Sequence, residues 1–423
     1  MEELLRFATA GSIDDGKSTL IGRLLHDTGQ TYEDQAEAVE RASRARGDAD
    51  VDLALFTDGL RDEREQGITI DVAYRSFATA KRRFILADTP GHVQHTRNMV
   101  TGISTADAVV VLVDATHGVV DQTRRHLALA SLLRVPHLVI CVNKMDLVGW
   151  DARVFDAIRD DAEDVSARVD IADLSYIPVS ALHGDNVVAR SAHSPWYEGP
   201  PLIAHLEQLH LASDRNLVDV RFPVQRAVRT RLPGGEGFRG YAGQVAGGVL
   251  RVGDEVVVLP SGYGATVASI ETFDGPLEEA FPPMAVTITL SEDLDVGRGD
   301  MICRTANRPV TGQDIQAMVF WMAQEPLRPG ARFLCQHTTK TTRVMAGDLL
   351  YRLDVANLHR RQPEAGDSGA VLGENEIGRL SLRSAEPLTY DPYRRNRATG
   401  SFILIDPGTF DTVGAGTILD PER

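Results

Sequence analysis

A chain of 423 residues exceeds one ordinary hydrophobic core, since domains hold roughly 100–200 residues, and two or three domains are expected. Its 43% hydrophobic and 25% charged content is that of a globular protein, and no run approaches the ~20 apolar residues that would span a bilayer. A net charge of −16 argues against nucleic acid as the main partner, because polyanion-binding faces carry excess Lys and Arg. The acidic start (Met1-Glu-Glu) lacks the basic and apolar order of a secretory leader, so a cytoplasmic protein is expected. Cys141, Cys303 and Cys335 are far apart and odd in number, which predicts buried free thiols rather than disulfides or metal ligands.

In chain order, Phe7 to Ala10 is a short apolar run, and Lys17 to Leu25 places Leu20, Ile21, Leu24 and Leu25 on one helical stripe. The runs from Phe84, Ala108 and His137 are continuously apolar, as strands covered on both faces must be. Asp121 to Leu133 reads as a helix that ends before Pro136, and Tyr176-Ile-Pro-Val supplies a further apolar run. Alternating strands and helices predict an α/β domain: a mostly parallel sheet with helices on both faces.

After about residue 215 the pattern changes. Short runs such as Val256-Val-Val-Leu and Ala285-Val-Thr-Ile-Thr-Leu alternate with turns such as Pro233-Gly-Gly and Gly297-Arg-Gly-Asp, which points to antiparallel β-barrels. The stretch from Arg304 to Gln313 reads as a linker, giving domains of 1–213, 214–308 and 309–423.

The strongest chemical signal is Gly11-Ser-Ile-Asp-Asp-Gly-Lys-Ser18, a full P-loop pattern between a strand and a helix. Its glycines let backbone N–H groups and a helix N-terminus face phosphate oxygens. The phosphate-binding set is Gly11, Ser12, Ile13, Asp14, Asp15, Gly16, Lys17, Ser18 and Thr19, with Lys17 reaching the terminal phosphates and Ser18 giving its hydroxyl to Mg²⁺. Asp88, Thr89, Pro90 and Gly91 follow the next apolar run. A carboxylate at the end of that strand can hold a water ligand of Mg²⁺, while the Gly91 N–H can sense the γ-phosphate.

Asn143, Lys144, Met145 and Asp146 end the His137 run. The Asp146 carboxylate can accept from guanine N1–H and the exocyclic amine, a donor pair that adenine lacks, so adenine leaves a buried carboxylate unpaired. Asn143 is expected to brace the loops and Lys144 to stack along the base, and Ser180, Ala181 and Leu182 to complete the pocket through backbone N–H groups. Together these segments specify GTP and GDP over other nucleotides. Thr69 has the position of a mobile Mg²⁺- and γ-phosphate-sensing residue, though other threonines fit by position and an ordinary strand residue is the plain alternative. His92 is the candidate for orienting attacking water, against the plain alternative of a surface or packing histidine, to which His95, His117 and His126 are left. Arg61, Arg64 and Arg97 read as surface or ion-pair residues rather than arginine fingers.

These segments resemble the translation-factor class of GTPases, a G domain followed by two β-barrels, over essentially the whole chain. Within that class they are similar to the GTPase-subunit family of bacterial sulfate adenylyltransferase (subunit 1, the large subunit of ATP sulfurylase). The resemblance rests on Gly11 to Leu25, on Asp58-Gly-Leu-Arg-Asp-Glu-Arg-Glu-Gln-Gly-Ile-Thr-Ile-Asp-Val-Ala-Tyr74, and on Ala87-Asp-Thr-Pro-Gly-His92 with Thr96-Arg-Asn-Met-Val-Thr-Gly102. Asp121-Gln-Thr-Arg-Arg-His126 and the segment from Asn396 to Asp406 extend it. The paired Asp14-Asp15 separates the chain from bacterial elongation factors, which usually carry His at the second position.

The resemblance implies that Thr69 is the switch residue and His92 positions the water, with Lys17 completing the catalytic set and Ser18, Thr69 and Asp88 the metal set. It implies a heterodimer or higher assembly with a small catalytic subunit (subunit 2) that makes adenylyl sulfate and pyrophosphate from ATP and sulfate, driven by GTP hydrolysis here. A carrier of aminoacyl-tRNA, or a factor acting on the ribosome, is the alternative that the same nucleotide motifs allow. Val93 and His95 depart from the Glu and Tyr usual beside His92. Some relatives carry a fused adenylyl-sulfate kinase; this chain has no second P-loop and is expected to lack that activity.

Overall fold

The structure, a computed structural model, describes residues 4–12, 14–29, 53, 71–91, 96–167, 173–211, 215–231, 237–354, 359–362 and 371–421. The chain forms two compact units that divide between Leu211 and Ala212, with both barrels in the second. Among the described residues, no helix is long and apolar enough to cross a membrane.

The first unit is built on a six-stranded sheet of β1 (Leu4–Ala10), β2 (Ala73–Ala78), β3 (Arg83–Asp88), β4 (Ala108–Asp114), β5 (His137–Asn143) and β6 (Asp173–Pro178). The spatial order is β2-β3-β1-β4-β5-β6, all parallel except β2, which runs antiparallel to β3 at the edge. β4 and β5 are buried at every position, as their unbroken apolar sequences require. The helices are α1 (Lys17–Asp27), α2 (Thr96–Ser104), α3 (Asp121–Leu132), α4 (Ala152–Ser166) and α5 (Leu202–Gln208). Leu20, Ile21, Leu24 and Leu25 of α1 are all buried against the sheet core, each worth about 1.5–3 kcal/mol relative to exposure.

Sequence reading finds α1 and α3 but passes over β2, α2, α4 and α5. β2 is an edge strand whose exposed residues alternate with half-buried ones around a single buried Phe77. In α4 the buried Phe155, Ile158, Ala162 and Val165 are spaced among aspartates, and Asp151 caps the helix by accepting the Arg153 N–H.

The chain leaves β1, builds β2 and β3 on one side, then crosses to β4 on the other, so the switch in strand order falls at β1. Open α/β sheets bind ligands at such a point, beyond the carboxyl ends of the strands. Register keeps those ends level, with Thr9 opposite Asp88 and Asp114 opposite Asn143.

In the second unit, strands Arg221–Arg231, Gly237–Gln244, Glu255–Leu259, Tyr263–Thr272, Ala285–Leu290 and Met301–Arg304 close into a six-stranded antiparallel barrel. Val310–Trp321, Arg332–His337, Lys340–Leu353, Ile377–Tyr390, Ser401–Ile405 and Thr412–Ile418 close into another. Among the described residues closure leaves no long unpaired edge, and each barrel has its own apolar filling. Of the stretch read as a linker, Arg304 ends one strand and Val310 begins the next, leaving 305–309 between them. The barrels are joined by Arg221, fully buried, which makes a two-bond pair with the Asp391 carboxylate at 2.8 Å and also donates to the Asn307 carbonyl at 2.9 Å. All three cysteines are buried and free, and burial pushes their thiols up.

Candidate nucleotide site

β1 runs into the P-loop, and α1 starts at Lys17 from Gly16, whose φ of 87° is left-handed backbone that a glycine adopts without a Cβ clash. Asp14 is also left-handed, at 69°, strain that a non-glycine residue keeps only where its surroundings enforce it. The Asp15 carboxylate accepts the Ser12 N–H at 2.6 Å and braces the loop from within. Burial pushes the Asp15 carboxyl up to about 6, against the pull of that bond. The Ser12 hydroxyl is buried with no partner among the described residues. Ser18 and Thr19 lie half-buried in the first turn of α1, where helix N–H groups have no intrahelical partner. Ile13 lies outside the described residues.

The buried Lys17 ammonium donates to the Thr89 carbonyl and lies 3.4 Å from Asp88 Oδ1. Thr9 Oγ1 approaches the same carboxylate at 3.4 Å, and Thr89 Oγ1 donates to the Thr9 carbonyl at 2.6 Å, tying the ends of β1 and β3 together. Pro90 is buried. A Cβ placed on Gly91 would fall 2.4 Å from the Gly11 carbonyl oxygen, so the loop after β3 rests directly on the P-loop. Gln122 of α3 donates to the Gly91 carbonyl. Thr69, His92, Val93 and His95 lie outside the described residues.

On the base side, Asn143 at the end of β5 donates from Nδ2 to the Asp15 carbonyl at 2.7 Å, and its Oδ1 accepts the Ala181 N–H at 2.9 Å. One side chain therefore joins the P-loop to the Ser180–Leu182 turn. Lys144, with a φ of 63°, sends its ammonium to Asp114 Oδ2 at 2.7 Å. Against the upward push of burial, that ammonium and the Thr116 N–H and hydroxyl hold Asp114 down at about 2. Met145 is fully buried. The Asp146 carboxylate stays partly exposed, 3.8 Å from His183 Nε2. Ser180 is buried, its N–H donating to the Asp185 carbonyl at 3.2 Å, while Leu182 is exposed.

Sequence reasoning missed Asp114, Gln122 and Arg23, the last of which binds the carbonyls of Ala181 and Leu182. Asp114 directly follows an apolar strand run, as Asp88 does, and that shared position was the available signal. His126, left to packing, is fully buried with Nδ1 3.0 Å from Met99 Sδ, and burial pushes it down to about 3.

The arrangement combines a P-loop backbone able to cradle phosphate, the buried Lys17 ammonium and the partly open Asp146 carboxylate. The Ser18 hydroxyl and the Asp88 carboxylate are hard oxygen donors. Among the described residues no cluster of three or more His, Cys, Asp or Glu could hold a metal alone. That sparse oxygen set fits Mg²⁺, which takes one or two protein ligands and fills its shell from phosphates and water.

Fold and loops define a guanine-nucleotide-binding protein of the translation-factor type. Residues 2–228 match the Elongation factor Tu GTP binding domain, and residues 314–419 match the GTP-eEF1A C-terminal domain-like family. The chain belongs, more particularly, to the sulfate adenylyltransferase subunit 1 family. It is 49% identical over 421 residues to the Bacteroides fragilis protein of that name, covering 99% of this chain and 86% of that protein. It is 58% identical over 420 residues to the Mycobacterium tuberculosis (strain ATCC 25618 / H37Rv) protein named bifunctional enzyme CysN/CysC, covering 99% of this chain and 68% of that protein. Among solved structures, the GTP-bound Ski7 GTPase-like domain of S. cerevisiae aligns with a TM-score of 0.53 at 17% identity, over 99% of this chain and 97% of that one, a likeness of fold alone.

Proposed function

We propose that this chain is the GTP-hydrolysing regulatory subunit of a sulfate adenylyltransferase, driving adenylyl sulfate formation on a separate small catalytic subunit. On that subunit a sulfate oxygen attacks the α-phosphorus of ATP, and the bond to the pyrophosphate leaving group breaks. The mixed anhydride is unfavourable to make, so hydrolysis of GTP to GDP and phosphate on this chain supplies the driving force. Coupling requires that the GTP and GDP states bind the partner with different affinity.

The observation that carries the reading is the pair of hydrogen bonds by which Asn143 donates to the Asp15 carbonyl and accepts the Ala181 N–H, which supports one nucleotide spanning the P-loop and the base turn. In this reading Lys17 neutralises the terminal phosphates, Asp146 accepts from guanine N1–H and the 2-amino group, and the Ala181–Leu182 turn meets O6. Ser18, Asp88 and Thr69 would hold Mg²⁺, which offsets charge on the β- and γ-phosphates. His92 orients the attacking water, and the contacts of Thr69 and Gly91 with the γ-phosphate are lost when it leaves. The translation-factor reading is not favoured: the net charge of −16 and the sulfate adenylyltransferase relatives both weigh against a tRNA carrier.

The test is co-expression with the candidate small subunit, followed by GTPase assays with and without ATP and sulfate. Stimulation that requires both substrates is expected. A GTPase rate indifferent to them in the purified complex would remove the coupling.

A further inference from the structure

Arg23 lies on α1, the helix whose first turn belongs to the phosphate cradle, yet its guanidinium serves the opposite end of the site. Nε donates to the Ala181 carbonyl at 3.2 Å, and Nη2 donates to the Leu182 carbonyl. The guanidinium is held from its own helix by Asp27, 3.5 Å from Nη1, and that Asp27 oxygen is in turn 2.9 Å from His26 Nδ1. The turn is fitted closely to this side chain. At Gly184, where φ is 84°, a Cβ would lie 3.3 Å from Arg23 Cδ and 3.4 Å from Asp27 Oδ2.

In a trans peptide the carbonyl and the following N–H point in opposite directions. Fixing the Ala181 carbonyl on α1 therefore aims the Leu182 N–H away from that helix. The neighbouring donors of the turn are engaged. The Ala181 N–H goes to Asn143 Oδ1 at 2.9 Å, the His183 N–H to Ser180 Oγ at 3.4 Å and the Gly184 N–H to the Ser180 carbonyl at 2.8 Å. The Leu182 N–H has no partner among the described residues.

We propose that Arg23 is a positioning residue for guanine recognition: by holding two carbonyls of the Ser180–Leu182 turn, it aims the Leu182 N–H at O6 of the base. The proposal rests on the GTP-site reading and adds a specificity residue to it. It links the phosphate helix to the base turn by a route separate from Asn143.

The experiment compares GTP, 6-thio-GTP and ITP binding to the full chain. 6-Thio-GTP replaces O6 with a weakly accepting sulfur and keeps N1–H and the 2-amino group, whereas ITP keeps O6 and lacks only the amine read by Asp146. Arg23→Ala is expected to weaken GTP and ITP alike by about tenfold, the worth of one good hydrogen bond, and to leave 6-thio-GTP nearly unchanged. The GTP to 6-thio-GTP ratio then narrows while the GTP to ITP ratio holds. Arg23→Lys, which can satisfy only one carbonyl at a time, is expected to fall between, and it decides the matter if the alanine variant does not fold. An unchanged 6-thio ratio, or both ratios narrowing together as general loosening would cause, overturns the role of Arg23. Failure of the unaltered chain to bind GTP at all would instead overturn the site reading beneath it.

Discussion

The Asn143 amide donates across 2.7 Å to the carbonyl of Asp15, joining the end of β5 to the P-loop over 128 residues of sequence. Its oxygen takes the Ala181 N–H, so the two halves of the candidate nucleotide site share one buried side chain that makes both hydrogen bonds. Asn143→Ala leaves a buried carbonyl and a buried N–H unsatisfied, each of which costs about 1–3 kcal/mol of stability. GTP affinity is expected to fall with it, and thermal unfolding alongside nucleotide titration measures both.

Lys17→Ala removes the only ammonium of the P-loop. GTP binding is expected to be lost, while the two barrels, in a separate compact unit, keep their cooperative unfolding. Retained GTP affinity would contradict the phosphate role.

Arg221 and Asp391 form a fully buried pair between the barrels. Arg221→Met strands the carboxylate and is expected to cost about 3–5 kcal/mol in denaturant unfolding. Adding Asp391→Leu should recover part of that loss, because a buried pair replaced at both ends by apolar groups leaves no lone charge. A single variant as stable as the parent would show that the pair contributes nothing.

The Asp15 carboxyl is raised from 3.8 to about 6 by burial, so the folded chain binds its proton more tightly than the unfolded chain does. Its contribution favours folding below about pH 4 and is lost as pH rises to about 6. Asp15→Asn removes this slope and keeps an acceptor for the Ser12 N–H. Melting midpoints measured from pH 4 to 7 should decline less in the variant than in the parent.

Much of the first unit was legible because its central strands are continuously apolar and each ends in a polar loop. Asp88 and Asn143 stand where those runs stop, and hydrophobic periodicity finds such boundaries well. The exposed-and-buried alternation of β2 and the aspartate-rich α4 hide their elements from the same rule, since tertiary packing rather than composition fixes their faces. Barrel class could be read from short strands and turns, but closure could not, because it depends on pairings such as Glu255–Leu259 with Tyr263–Thr272 that complete a ring. Arg23 and Gln122 act on carbonyls of distant turns, a relationship that spacing along the chain does not encode.

Recognition of a guanine base by Asp146 is tested by titrating Asp146→Asn with GTP and XTP. Xanthine carries a carbonyl where guanine has its 2-amino group, so an asparagine amide there can donate where the carboxylate could only accept. An inverted preference is expected, with GTP binding weakened and XTP bound in its place. A variant that holds GTP as tightly as the parent and ignores XTP would contradict it.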